Sequence, residues 1–306
     1  MIQMIRKSMI ALACLMAFMA DAQVMNVASI ERLEIPDDNN GTTQAVAISP
    51  QGDYLLLSSD TKQGLVKWDF DTRKATTLTS EPGTGLDVRI SADGKQVVYG
   101  QVTYKDKRRQ EAVKSYDLES GKSKTLVKPT RGLQGFEVEN STAATITDGR
   151  LKTHALKGKD ATLTRPVLSR HHLKLYMTRD GVTTMFAPNG PDERYIWASL
   201  SPDGTRVLYY VSGYGAFVCD TDGSHVMPMG NLTAPKWWDD NTIVGMDEVD
   251  DEYNIVSSSL VAVTLDGQRQ VLTGDDVVAT YPLPCSSAGK IAFSTPDGKV
   301  YLINVQ

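Results

Sequence analysis

Histidine and cysteine are scarce in this chain of 306 residues, which has four histidines and three cysteines. Zinc sites are recognised by His and Cys ligands at short, regular spacings, and no such spacing occurs here. The Gly-x-Ser-x-Gly pattern of a hydrolase nucleophile is also missing. These absences leave no residue that we assign to catalysis, to a metal or to a cofactor, and they favour a binding protein over an enzyme.

Positive charge is in deficit as well. Lysine and arginine together number 32, against 37 acidic residues, which gives a formal net charge of −5. Nucleic-acid binding requires a basic surface that neutralises phosphates. The composition therefore argues against nucleic acid as a partner.

A long hydrophobic run occurs once, near the start of the chain. Two basic residues precede the apolar segment Met9–Ala20, and Ala20-Asp21-Ala22 has the small-x-small form of a signal-peptidase site. We therefore expect a signal peptide at residues 1–22 and a periplasmic or secreted protein that begins at Gln23, with no integral membrane span. Cys14 faintly resembles a lipoprotein site, but too few apolar residues precede it, and we do not expect a lipid anchor.

The dominant pattern after the predicted signal peptide is a repeat. Three turns share one form: SPQG at Ser49–Gly52, SADG at Ser91–Gly94 and SPDG at Ser201–Gly204. Proline fixes φ at the second position, aspartate bonds to the local backbone, and glycine accepts a positive φ. Each turn is followed by a β-rich run that is apolar at successive positions, as expected of a strand covered on both faces.

A second element, two short strands around an Asp-Gly-like turn, recurs five times and is typical of β-hairpins. Its copies are Val66–Thr79, Lys114–Val127, Lys174–Ala187, Ala216–Met229 and Leu260–Thr273. A sixth copy, Lys299–Val305, ends the chain without a partner strand. We expect the strand-like segment Ala28–Ile35 to pair beside Tyr301–Val305, because this pairing closes a ring of sheets and removes exposed edges.

These repeats predict an all-β, six-bladed β-propeller of four-stranded antiparallel blades, formed by a single domain at residues 23–306. The predicted blades are 42–80, 84–129, 133–190, 195–231, 233–274 and 279–306 with 28–35. The third range is overlong and has room for two small blades, so seven blades is the alternative. Cys219 and Cys285 fall in different blades, and we predict two buried free thiols rather than a disulfide.

The Ser-Pro-Asp-Gly turn, the apolar strand after it and the hairpin that follows resemble the repeats of TolB-like β-propellers, a branch of the WD-type propellers. Ala198–Gly230 is the most complete copy. The resemblance extends over nearly all of residues 23–306 and implies the propeller fold. TolB itself has an α/β domain before its propeller, which this sequence does not show, so the resemblance does not imply the role of TolB in envelope assembly.

The predicted binding site is the mouth of the central channel, where the innermost strands begin. Counting four residues back from the turn serine gives Asp87 and Trp197, and the equivalent positions give Phe136 and Tyr281. With Lys236 and Trp237 at the start of the innermost strand of the fifth predicted blade, these are the candidate ligand-binding residues. Aromatic rings with a few charges suit a peptide, a protein segment or a sugar. The alternative is that the aromatic rings pack between blades, an interpretation that we favour for the neighbouring Trp238.

Three enlarged loops, Tyr104–Glu111, Leu151–His172 and Asp247–Asn254, are predicted on the same face as the channel mouth and indicate a recognition surface. Carboxylates on a flexible loop can bind calcium, and the loop at 247–252 is rich in them. These carboxylates lack the Asp-x-Asp-x-Asp-Gly spacing, so a solvated loop is the plainer interpretation. The basic residues at 105–109 are interpreted as a charged hairpin tip.

Two classes of function remain open. The first is an exported, non-catalytic propeller that binds a peptide or protein partner as an envelope scaffold or binding module. The alternative is a glycan-binding protein or a metal-assisted polysaccharide lyase, in which His154 with His171 or His172 would hold the metal. His171 and His172 are adjacent, and adjacent residues of a strand point to opposite faces, so these two cannot chelate one metal together.

Overall fold

The computed structural model describes residues 23–35, 43–159, 161–251 and 254–306. Over these residues the chain forms 26 β-strands and one short 3-10 turn, Ser286–Ala288. The strands assemble into seven antiparallel sheets of three or four strands each, which are the blades of an all-β propeller. The predicted signal peptide lies outside the described residues.

Strand β1 (Val27–Arg32) belongs to the last blade, and the others follow in chain order. Blade 1 has β2–β5 at Thr43–Ile48, Tyr54–Ser59, Leu65–Asp69 and Ala75–Thr79, and blade 2 has β6–β9 at Val88–Ile90, Gln96–Lys105, Arg108–Asp117 and Lys122–Thr130. Blade 3 has β10–β12 at Leu133–Glu139, Thr142–Thr147 and Arg150–Ala155, and blade 4 has β13–β15 at Val167–His171, Lys174–Arg179 and Val182–Met185.

Blade 5 has β16–β19 at Tyr195–Leu200, Arg206–Val211, Gly215–Asp220 and Met227–Gly230. Blade 6 has β20–β23 at Thr233–Trp237, Thr242–Asp250, Ile255–Thr264 and Arg269–Val271. Blade 7 has β24–β26 at Thr280–Cys285, Lys290–Ser294 and Val300–Val305, and β1 completes it. All five predicted hairpins are present as paired strands.

The seven-blade alternative is therefore correct and the six-blade count is wrong. The overlong range 133–190 contains two sheets, blades 3 and 4, of three strands each. Blades 1, 2, 5, 6 and 7, which we call the regular blades, have four strands each, whereas we call blades 3 and 4 the reduced blades.

The innermost strand of blade 4, β13, runs in the direction opposite to that of the innermost strands of blades 3 and 5. The link after β12 stays where β10 ends, because the Thr164 N–H donates to the Glu139 carboxylate at 2.9 Å. The turn that ends β13 meets the start of β16, since the Tyr195 N–H donates to the Leu173 carbonyl at 2.8 Å. Strand β13 contacts both β10 and β16 but runs antiparallel to them. The chain has thus omitted an outer strand of blade 3 and the usual inner strand of blade 4.

The recurring serine turn has a local hydrogen-bonding reason. The buried Ser91 hydroxyl accepts the Gln96 N–H at 2.9 Å and donates to Asp93, and the Ser201 hydroxyl does the same for Arg206, at 3.0 Å, and Asp203. In blade 1 a glutamine occupies the aspartate position of the turn, and the following Asp53 accepts the serine proton instead. The side chain thus closes the turn between the two inner strands of a blade.

The core lies between blades rather than within them. Leu55 and Leu57 of β3 pack against blade 7, whereas Leu56 between them packs with Tyr99 of blade 2. Alternate residues of a strand point to opposite faces of its sheet, so a sheet covered on both sides is apolar at successive positions. This explains the apolar runs that follow the serine turns.

Ring closure occurs as predicted. β1 pairs antiparallel with β26, from Val27 opposite Val305 to Arg32 opposite Tyr301. The Leu33 N–H extends the pairing by donating to the Val300 carbonyl at 2.9 Å. The chain start therefore covers the outer edge of the last three strands.

The predicted state of the cysteines is confirmed, because Cys219 and Cys285 are both buried and unpaired. No helix in the described part of the chain has the length and apolar character needed to cross a membrane.

Candidate binding site at the channel mouth

The inner strands are interrupted at equivalent positions. The pairing register breaks near the start of five of them: β2, β10, β16, β20 and β24. In three of the breaks a non-glycine residue has a positive φ: 51° at Trp197, 45° at Ala234 and 52° at Tyr281. Such a bulge releases a residue from the ladder and redirects its side chain, and the strained backbone costs about 1–3 kcal/mol per residue. The fold thus repeats a costly feature at the mouth of its channel.

A cavity of about 660 Å³ occupies this mouth. It is lined by residues of the inner strands of blades 1 to 6, by the loop that precedes β6 and by parts of β7, β8 and β14. Four of the six predicted site residues line it: Asp87, Phe136, Trp197 and Lys236. Its volume lies within the roughly 300–1,000 Å³ typical of sites for small ligands.

Arg89 joins blades 2 and 3 across the wall of the cavity. Its Nε and Nη2 donate to the two carboxylate oxygens of Glu137, each at 2.8 Å, and its Nη1 donates to Asp87 and to the Val88 carbonyl. The guanidinium also lies over the Phe136 ring, 5.9 Å from its centroid. Bidentate carboxylate pairing and ring contact together hold the group in one orientation.

The carboxylate of Asp87 and the guanidinium of Arg89 keep contact with solvent, since their side chains are 41% and 35% exposed. Both residues line the cavity, so their exposed surface faces the cavity. Burial raises the pKa of Asp87, although the positive charge of Arg89 opposes this shift. Burial acts against the charge of Arg89 too, but the two carboxylates outweigh it, and the net pKa of Arg89 is raised.

Two cations of the cavity have no carboxylate partner. The charged lining residues are Arg89, Arg109, Arg170, Lys236, Asp87, Glu111 and Glu137. Arg89 pairs with two of the acids and Arg109 with Glu111. Neither Lys236 nor Arg170 has an acidic oxygen within 4 Å in the described ranges. Desolvation and the nearby charge of Arg89 lower the pKa of Lys236, although the charges of Asp87 and Glu137 oppose this shift. The cavity therefore has room and charge for an anionic group.

The missing inner strand of blade 4 contributes to this arrangement. In its place the reversed strand β13 supplies Leu168, Ser169 and Arg170 to the lining. Arg170 is the fourth residue of β13 and is exposed. A reduced blade thus provides one of the two unpartnered cations.

Trp237 and Tyr281 do not line the cavity. Trp237 packs with Leu208 and Ile243 between blades 5 and 6, and its indole N–H approaches the Ser199 carbonyl at 3.4 Å. Tyr281 is 45% exposed, and its backbone N–H contacts the Met246 sulfur at 3.1 Å. Trp238 packs against the core between blades 6 and 7, as favoured from the sequence. Trp237 thus packs between blades and does not line the cavity, although the sequence predicted it as a ligand-binding residue.

The enlarged loops are not all on one face. Arg109 and Glu111 of the β7–β8 hairpin line the cavity, and the β21–β22 hairpin bonds beside the start of β24, where Ser258 donates to the Ala279 carbonyl at 2.6 Å. The remaining predicted loop, Leu151–His172, is different. Its linking part runs along the opposite face, where the Leu156 N–H donates to the Ser141 carbonyl at 2.9 Å. The predicted three-loop surface is therefore reduced to two hairpins.

No group of three or more His, Cys, Asp or Glu side chains able to hold a metal occurs among the described residues. Asp247 pairs with Arg269 at 2.6 Å, and Glu252 lies outside the described residues. His154 contacts the Thr145 hydroxyl at 3.0 Å, and the rings of His171 and His172 stack on each other at 4.0 Å. The described chain thus shows neither the calcium arrangement nor the histidine site considered above.

Sequence reasoning missed Arg89, Glu137 and Arg170. Arg89 was accessible to it, because a residue two places after Asp87 shares its face of the strand. Arg170 was not, because counting from a serine turn assumes a strand direction that β13 reverses.

No protein-family model matches the chain, and no curated protein matches it. Among solved structures, a chain of the mitotic checkpoint complex superposes with a TM-score of 0.56 at 12% identity, over 92% of this chain and 96% of that one. An oligogalacturonate lyase in complex with manganese gives a TM-score of 0.49 at 15% identity, and an oligogalacturonate lyase from Vibrio parahaemolyticus gives 0.45 at 14%. Each of the two matches covers 85% of this chain and 76% of the lyase. At such identities the likeness concerns the fold alone.

Proposed function

We propose that this propeller is a non-catalytic binding module that holds an acidic segment of a peptide or protein in the channel-mouth cavity. The observation that carries the proposal is the pair of unpartnered cations, Lys236 and Arg170, in the cavity of a chain whose net charge is −5. Both side chains are exposed and have no carboxylate at salt-bridge distance among the described residues, so a ligand carboxylate can pair with them without displacing a protein partner.

The remaining lining favours a peptide over a sugar. Sugars stack on open aromatic faces, whereas the Trp197 and Tyr210 rings form a T-shaped pair at a centroid distance of 5.2 Å and Arg89 lies over the Phe136 ring. Aliphatic side chains line the cavity instead, including Val46, Leu133 and Leu86, the last of which is 56% exposed. Such surfaces suit the side chains of a peptide beside its acidic residue.

The test is a calorimetric titration with triglutamate as the probe. We expect Lys236→Met and Arg170→Gln each to weaken binding about tenfold or more, because a hydrogen bond to a charged group contributes about 1.5–3 kcal/mol. Arg150→Gln, on an exposed position of β12, is the matched control and should bind as the wild type does.

Two results would overturn the proposal. Equal affinity of all four proteins would show that the cavity cations are not used. Binding of trigalacturonate without binding of triglutamate would assign the site to acidic glycans and support the alternative function.

Export and kinship with TolB-like propellers are part of the same proposal. They are supported by the apolar segment Met9–Ala20 and by the serine-turn repeats. N-terminal sequencing of the protein from its native host should begin at Gln23. An N-terminus at residue 1 would contradict export by a cleaved signal.

A further inference from the structure

We infer that the ligand is an extended acidic chain with at least two anionic groups, which leaves the channel through a trough between blades 2 and 3. This inference rests on the proposed function and specifies its ligand. A second cavity, of about 150 Å³, shares Arg109, Glu111 and Leu133 with the channel-mouth cavity. The shared lining places the two cavities side by side, and we call them together the trough. Thr130 and Arg131 line its outer part.

The outer part of the trough has its own unpartnered cation. Arg131 is exposed and has no carboxylate within 4 Å among the residues that the structure describes. Arg109 next to it is neutralised in part, because its Nη2 donates to Glu111 at 2.8 Å. A ligand that reaches from Lys236 to Arg131 would therefore meet an unpaired cation at each end.

The loop that presents Arg131 is fixed in place. The Gly132 N–H donates to the Thr130 hydroxyl at 3.1 Å, and the Gly132 carbonyl accepts the Asp148 N–H at 2.9 Å. A Cβ at position 132 would overlap the Asp148 carboxylate. The hydrogen bonds hold the loop against the β11–β12 turn of blade 3. A fixed loop loses little conformational freedom when it binds.

The lining of the second cavity is mainly polar and charged. It consists of two arginines, one glutamate and one threonine, with Leu133 as the one apolar residue. Guanidinium groups pair with carboxylates in a bidentate geometry that lysine cannot reproduce. An acidic chain in extended form would place anionic groups near both Lys236 and Arg131.

The experiment compares glutamate peptides of increasing length, from diglutamate to octaglutamate, on the full protein. Wild-type affinity should rise once the peptide is long enough to reach Arg131. Arg131→Gln should weaken the long peptides about threefold or more, as expected of an exposed ion pair, and leave diglutamate unchanged. Arg150→Gln, an exposed arginine outside the trough, should change neither.

The outcomes separate the two claims. If neither diglutamate nor triglutamate binds the wild type, the proposed function is wrong. If diglutamate binds but affinity does not depend on length, or Arg131→Gln affects all lengths equally, the trough is not used and this inference is wrong. A dependence of the long-peptide affinity on salt that is steeper than that of diglutamate would support it.

Discussion

Blades 1 and 5 resemble each other more than either resembles blades 3 and 4. The regular blades 1, 2 and 5 each close their inner hairpin with a serine turn, and each packs alternate residues against two neighbours. The reduced blades have no serine turn and share a core cluster of only three buried residues. The reduced blades, with fewer strands and a thinner core, nevertheless supply Glu137 and Arg170 to the cavity beside the charged residues of the regular blades.

The largest expected contrast concerns the core. Leu56 is fully buried among large side chains between blades 1 and 2, whereas Ile146 is fully buried beside Ala144 and Val167. Leu56→Ala should cost toward the upper end, and Ile146→Ala toward the lower end, of the roughly 2–5 kcal/mol typical of such changes. Urea unfolding of the two variants measures this. Equal losses would show that the reduced blades are packed as firmly as the regular ones.

A second contrast concerns turns. Gly52 in the serine turn of blade 1 has φ +63°, and a Cβ there would overlap the Cβ of Ala288 in blade 7; Gly149 in blade 3 has φ +74° and no neighbour within 4 Å. Both alanine variants suffer the left-handed backbone, but Gly52→Ala adds an overlap that costs about 1–3 kcal/mol. Thermal unfolding should therefore give a lower Tm for Gly52→Ala than for Gly149→Ala. The reverse order would mean that regular-blade turns do not dock on their neighbours.

A third prediction tests the tie between a regular and a reduced blade. Arg89→Gln removes the partner of Asp87 and Glu137 and should cost about 1–3 kcal/mol, less than for a fully buried pair, because the cavity is open to water. The folded-state pKa of Asp87 is already raised. A carboxyl group whose pKa is raised on folding makes the protein less stable as the pH rises through that pKa. Without Arg89 the pKa of Asp87 should rise further, so this loss of stability should be larger in the variant. Unfolding at several pH values would show it. A pH-independent difference would contradict it.

The smallest effect is on binding. Because desolvation and the charge of Arg89 lower the pKa of Lys236, the ammonium loses its proton at a lower pH than a lysine of ordinary pKa does. Affinity for triglutamate should therefore fall as pH rises through that lowered pKa. Lys236→Arg keeps its charge and should remove this fall. A pH profile identical in both proteins would exclude Lys236 as a ligand contact.

The same contrast explains what the sequence could predict. The serine turns and hairpins identified the regular blades, and the strand-like segment before residue 35 identified the ring closure. Blades 3 and 4 have no serine turn, and β10 and β11 are joined instead by a tight turn in which Asn140 has φ +52°. Losing two strands left no mark in the sequence except an overlong range, so six blades were counted.

The site residues could be predicted only on inner strands that run in the common direction. Counting back from a serine turn located Asp87 and Trp197, and the start of β20 located Lys236, because their strands run in the common direction. Arg170 lies on a strand that runs the other way, and no local pattern indicates that reversal. Its role depends on a tertiary arrangement that brings blade 4 beside blades 3 and 5.

The most direct test of the central claim is a crystal structure of the protein with triglutamate. The account predicts a peptide carboxylate within hydrogen-bonding distance of the Lys236 Nζ or the Arg170 guanidinium, inside the channel mouth. Triglutamate bound on the opposite face or at the outer edge of a blade, with the cavity cations untouched, would contradict it.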